Sequence, residues 1–237
     1  LGVKVEYVPS INYAAVVNAF SKGELDAAFF GGLTGVQARL QNPGSVALAQ
    51  RENDAEFHSK FIAGNDLNLT SLEELKTRSG ELSITFGSES STSGHLMPRY
   101  FLKAAGIEAD VDFAIPSNFS GSHDLTWQLV ESGSFDIGAL NEDVWDRAVE
   151  EQKVDTSLVD AFYTTPGYYD YNWTVRSGLD EVYGDGFTVK FQKALLKLNT
   201  EAHGGILELF STDKFVPTEN SNYDAIELVA RDLKIIQ

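Results

Sequence analysis

The chain contains no cysteine, which excludes disulfides, thiolate metal sites and cysteine nucleophiles. It has no apolar run near the ~18 residues that a spanning helix needs, so nothing reads as a membrane span. Basic residues are scarce: 18 Lys and Arg stand against 35 Asp and Glu, a net charge of −17. Nucleic-acid binding rests on Lys and Arg neutralising phosphates, and anionic membranes attract the same residues, so both partners are disfavoured. A small anion is not excluded, because local dipoles and hydrogen bonds can dominate inside a cleft. The motifs Gly-x-Ser-x-Gly, His-Glu-x-x-His and the phosphate loop of nucleotide hydrolases are all missing. Four histidines, at 58, 95, 123 and 203, lack metal-ligand spacing, so neither metal nor cofactor is expected. No signal peptide is visible and the chain begins at Leu1, which reads as a mature or trimmed form.

What is present is an alternation of strand-like and helix-like runs in 237 residues, the grammar of an α/β protein. Strands are expected at Val3–Val8, Leu25–Phe30, Ser45–Gln50, Phe57–Ala63, Leu82–Phe86, Val111–Ile115, Phe135–Leu140 and Tyr171–Arg176. Helices are expected at Tyr13–Ser21, with Ala14, Val17 and Phe20 on one stripe, and at Val36–Gln41, Ser71–Lys76 and Leu96–Ala105. Four more are expected at Leu125–Ser132, Glu142–Glu151, Phe187–Thr200 and Asn222–Leu233.

The run Ser90-Ser91-Thr92-Ser93-Gly94 follows one strand and precedes one helix. A helix start needs one capping hydroxyl; four in a row offer spare donors beside unpaired backbone N–H groups and a partial positive charge. That combination suits a tetrahedral oxyanion without lysine or arginine. Gly31–Gly35 and Ser120–His123 occupy similar strand-to-helix turns, and ligands of open α/β sheets bind at such strand ends. The bland alternative is that these residues only cap helices. The carboxylates Glu142, Asp143 and Asp146 read as a solvated helix face.

Five motifs carry a family resemblance. They are Tyr13-Ala14-Ala15-Val16-Val17, Gly23 to Gly31, Ser91-Thr92-Ser93-Gly94 with Pro98, Gly121-Ser122-His123-Asp124 and Phe135-Asp136-Ile137-Gly138-Ala139. In order and spacing the chain resembles the phosphonate/phosphite/selenate-type substrate-binding proteins of ABC transporters. The resemblance implies a two-lobed type II periplasmic-binding-protein fold, with lobe 1 at residues 1–65 and 166–237 and lobe 2 at 66–165. The family's first strand and helix of lobe 1 are not in the sequence.

The family's ligand-oxygen donors match Ser91, Thr92 and Ser93, and its ligand-contacting histidine matches His123. Two family tyrosines fall near Phe30 and His58, and its amine-facing carboxylate falls near the neutral Asn141. A second acidic position falls near Asp170, and the loop containing Phe30 and Thr34 is most similar to the selenate-binder branch. These departures imply a small oxyanion such as phosphite, phosphate, phosphonate, selenate or sulfate rather than an aminoalkylphosphonate. A carboxylate such as Asp170 would favour a ligand that still carries a proton. The implied protein is a non-enzymatic monomer, periplasmic or otherwise extracytoplasmic, secreted or membrane-tethered, that serves an ABC permease. Two alternatives stay open: an oxyanion sensor without a transporter, and a hydrolase using Ser93, His123 and Asp124.

Overall fold

Asn12 sets the start of the first helix, its Oδ1 accepting from Ala15 N–H at 2.9 Å. The structure is a computed structural model that describes residues 1–10 and 12–237. In chain order the first elements are α1 (Tyr13–Ser21), β1 (Ala27–Phe30), α2 (Gly32–Gln41), β2 (Val46–Arg51), β3 (Ser59–Gly64), α3 (Leu72–Arg78), β4 (Ile84–Phe86) and α4 (Met97–Ala104). They continue with β5 (Asn118–Phe119), α5 (His123–Glu131), β6 (Ile137–Asn141), α6 (Glu142–Glu150), β7 (Val159–Thr164) and β8 (Asn172–Val175). The last are α7 (Leu179–Tyr183), α8 (Phe187–Leu196), α9 (Thr200–Leu209), β9 (Phe215–Pro217) and α10 (Asp224–Asp232).

The chain divides into two units, Leu1–Phe57 with Tyr168–Gln237, and His58–Gly167. The first holds a four-stranded sheet in the order β1-β8-β2-β9, with β8 antiparallel to both neighbours. Alternation along β1 sends Ala27 and Phe29 to one apolar cluster and Ala28 and Phe30 to another, as the two-residue period of a strand requires.

The second unit holds a five-stranded sheet in the order β5-β4-β6-β3-β7. Its strand β4 runs parallel to β5 and β6, while β3 is antiparallel to β6 and β7. Both faces are covered. Phe61, Ile84, Ile137 and Leu102 form the core on one side, and Ile62, Leu140, Trp127 and Trp145 form it on the other. Gly138 lets α5 approach, since a Cβ there would stand 2.9 Å from Val130.

Several expectations are corrected. Val3–Val8 is not a strand: Val5 and Tyr7 are 77% and 85% exposed, and no sheet neighbour is present among the described residues. Val111–Ile115 is irregular, and the paired strand there is β5. Gly31–Gly35 is not a turn but the cap and first turn of α2. Ala14 is exposed, although Val17 and Phe20 are buried. The expected helix 187–200 ends at Leu196, and α9 follows as a separate helix. Strands β7 and β9 were not expected. Residues 58–65 carry β3, so they belong to the second unit rather than with the segment before them.

Candidate functional site

In the second unit β4, β5 and β6 are parallel, so their C-terminal ends lie at one sheet edge. Each end leads into a helix start, and each start has a side-chain cap. Ser91 Oγ accepts from Gly94 N–H at 2.9 Å, Ser122 Oγ from Leu125 N–H at 3.1 Å, and Asn141 Oδ1 from Val144 N–H at 3.0 Å. Because β3 opposes β6 with Ser59 across from Asn141, His58 lies at this same edge.

The hydroxyl run opens with a π-helical turn, Thr92–Leu96, in which Leu96 N–H reaches back to Ser91 O at 3.0 Å. Such wide turns recur at functional sites. Ser91, Thr92 and Ser93 are all buried. Ser91 is the cap, yet its own O–H remains a donor.

His123 is the first residue of α5 and is buried. Its Nδ1 accepts from Asn141 N–H at 3.3 Å, so the ring proton resides on Nε2. That Nε2 is buried with no hydrogen-bond partner among the described residues. Burial pushes the ring pKa down to about 4, with only partial opposition from Asp124, so the imidazole is neutral at pH 7. Room for the ring comes from Gly94, where a Cβ would stand 2.8 Å from His123 Cε1.

Asn141 therefore serves through its backbone, which orients His123, and through its side chain, which caps α6. His58 Nδ1–H donates to Thr165 O at 2.7 Å, which leaves Nε2 as an acceptor. Glu142 departs from the expected solvated face: its Oε2 is buried and lacks a partner among the described residues. Asp143 is also only half-buried, whereas Asp146 is exposed and pairs with Lys60 at 2.6 Å.

The first unit gives a different result. Phe30 is buried against Phe20, edge to face at 5.3 Å, and belongs to the core. Thr34 Oγ1 donates to Gly31 O at 3.1 Å. Asp170 precedes β8, whose Asn172 pairs with Phe30, and its Oδ1 accepts from Gly32 N–H at 2.8 Å. The N-terminus of α2 is thus already compensated by a carboxylate 1% exposed, and the expected open anion turn at Gly31–Gly35 is filled from within. In the second unit the two other turns and the start of α6 present further helix-start N–H groups.

The second-unit edge collects hydroxyls, an imidazole N–H and helix-start N–H groups. It can hold an anion through neutral donors, each worth ~1.5–3 kcal/mol to a charged acceptor. It is poorly made for Ser93 nucleophilic attack. His123 presents a proton at Nε2 and has Nδ1 engaged, so it has no free lone pair to take the serine proton. Among the described residues no cluster of His, Asp or Glu could hold a metal ion.

The chain thus has two α/β units, the second with buried neutral donors at the ends of its parallel strands. Residues 1–223 match the family described as ABC transporter, phosphonate, periplasmic substrate-binding protein, and the chain belongs to that family. It is 43% identical over its whole length to the probable ABC transporter phosphite binding protein PhnD1 of Prochlorococcus marinus (strain MIT 9301), covering 81% of that protein. The solved structure of that relative in complex with methylphosphonate superposes with a TM-score of 0.92, over 98% of this chain and 87% of the other. The phosphate-import protein PhnD of Mycolicibacterium smegmatis is 28% identical over 73% of this chain and 53% of its own length. A binding-protein component of an ABC phosphonate transporter from Pseudomonas aeruginosa shares the fold at 19% identity, with a TM-score of 0.79 over 93% of this chain and 72% of that one. The chain is accordingly the extracytoplasmic solute-binding component of an ABC uptake system, not an enzyme. No helix among the described residues is long and apolar enough to cross a membrane.

Proposed function

We propose that the chain captures a small phosphorus oxyanion, of the size of phosphite or methylphosphonate, and delivers it to an ABC permease. Ser91, Thr92, Ser93 and His123 donate to its oxygens, together with the N-termini that follow β4, β5 and β6. The observation that carries this reading is His123 Nε2–H, a buried donor with no partner among the described residues, at a helix start beside a hydroxyl run. Burying such a group without a partner costs ~1–3 kcal/mol, which a ligand oxygen would recover.

Phosphorus is favoured over sulfate or selenate by the acceptors at the same edge. A monoprotonated phosphite or phosphonate can donate a hydrogen bond, and Glu142 Oε2 and His58 Nε2 can accept one. Sulfate and selenate carry no proton at neutral pH and would meet Glu142 as a like charge. Asp170, the acceptor expected from the sequence, takes Gly32 N–H at the start of α2 through Oδ1, Thr34 Oγ1 donates to Gly31 O at that same start, and Phe30 packs against Phe20. The relative named a phosphite-binding protein, solved with methylphosphonate, supports this ligand class. The chain acts as a monomer, secreted or tethered outside the cytoplasmic membrane; a net charge of −17 keeps copies apart. Calorimetric titration with phosphite, phosphate, methylphosphonate, sulfate and selenate tests it. Phosphite or methylphosphonate should bind at micromolar affinity or better, and heat from none of the five would overturn it.

A further inference from the structure

His95 is the second buried histidine of the second unit, and the ligand reading leaves it unused. Its ring belongs to the π-helical turn itself, two residues after Ser93. The Nδ1–H donates to Glu89 O at 2.8 Å, tying the loop before Ser91 back onto the turn. Its Nε2 is 3.4 Å from Arg99 Nη1, a donor, and Arg99 is ion-paired to Asp110. With Nδ1 donating and Nε2 accepting, His95 holds the tautomer opposite to that of His123. The ring also stands edge-on to Phe119, centroids 4.7 Å apart at 90°, and 5.3 Å from Phe86. Phe86 ends β4 and leads to the hydroxyl run; Phe119 ends β5 and leads to His123.

We propose that His95 is a positioning residue for the anion site: it fixes the Ser91–Ser93 hydroxyls in register with His123 by bonding Glu89 O while packing between the ends of β4 and β5. The inference rests on the oxyanion reading above. A ring alone would serve the packing, and a donor alone would serve the loop; histidine does both. The two functions can therefore be separated. His95→Phe keeps an aromatic ring and loses the donor. His95→Asn places an N–H near the position of Nδ1 and loses the ring.

The test measures methylphosphonate and phosphite affinity by calorimetry, and the melting temperature of the ligand-free protein, for wild type and both variants. If His95 positions the turn through its donor, His95→Phe weakens binding about tenfold with little change in melting temperature. His95→Asn then melts lower yet binds within about threefold of wild type, because the donor is restored. A merely structural histidine predicts affinity that follows melting temperature across the series, and that result overturns the proposal. Wild-type affinity in His95→Phe overturns it as well. Should His95→Phe fail to fold, a tenfold loss in a folded His95→Asn overturns it and near-wild-type binding there supports it. No binding by wild type would instead bring down the oxyanion reading, a distinguishable outcome.

Discussion

Adding one methyl group at Gly94 should disable the site through His123. A Cβ on Gly94 would lie 2.8 Å from His123 Cε1, 3.1 Å from its Nδ1 and 3.0 Å from Ser91 Oγ. Gly94 lies in the helical turn and outside the left-handed region, so alanine is compatible with its backbone. In open space the change would stabilise the turn by ~0.5–1 kcal/mol. Here the ring must move, and the bond from Asn141 N–H that holds it must stretch or break. Overpacking of this kind costs ~1–3 kcal/mol of stability. Displacing Nε2–H from a bound anion costs a further ~1.5–3 kcal/mol, about ten- to a hundredfold in affinity. The assay is a double-mutant cycle of Gly94→Ala and His123→Ala, read by denaturant unfolding and by calorimetry. Removing the ring makes room for the methyl, so the two losses should be strongly non-additive. A Gly94→Ala protein that is more stable than wild type and binds equally well would show that the His123 ring does not depend on the space at Gly94.

Ser93→Ala should cost about ten- to a hundredfold in affinity with little loss of stability, whereas Ser122→Ala, which removes the α5 cap, should cost ~0.5–2 kcal/mol of stability; unfolding and titration of both variants check the contrast. The folded pKa values of about 4 for His95 and His123 lie below the ordinary 6.5, so between those values the unfolded chain binds protons that the folded chain does not. Stability should therefore be complete above pH 6.5 and fall as pH drops toward 4; the His95→Phe/His123→Ala double variant should show a shallower fall in melting temperature, and identical profiles would count against it. Glu142→Gln should shift preference toward sulfate and selenate by removing a like charge, measured as the ratio of sulfate to phosphite affinity; an unchanged ratio would remove Glu142 from the site.

Much of the architecture is legible because local signals agree with it. Asn12, Ser71 and Ser122 stand at helix caps, and Tyr13–Ser21 has the expected bounds. The misreadings have physical causes. Gly31–Gly35 has the composition of a turn, but its helix is capped by Asp170 from 138 residues away, a contact no local pattern announces. Val159–Thr164 is half-polar and partly exposed, so β7 lacks an apolar signature and exists through its pairing with β3. Val111–Ile115 has strand composition, yet Val111 is 77% exposed, and the segment forms turns and bends, with Ala114 N–H donating to Leu82 O at 2.9 Å. At the candidate site, the hydroxyl run and His123 stand out in the sequence, but the local bonding of each does not. Which serine caps, which histidine nitrogen carries the proton, and that Asn141 acts through its backbone all follow from long-range packing.

The most direct measurement is nitrogen-15 NMR of the His123 ring, with and without phosphite, assigned by comparison with His123→Gln. The expected result is a neutral ring protonated on Nε2 at pH 7, with the Nε2–H proton moving downfield when phosphite binds. Phosphite binding that leaves this proton unmoved, or a ring protonated on Nδ1, would contradict it.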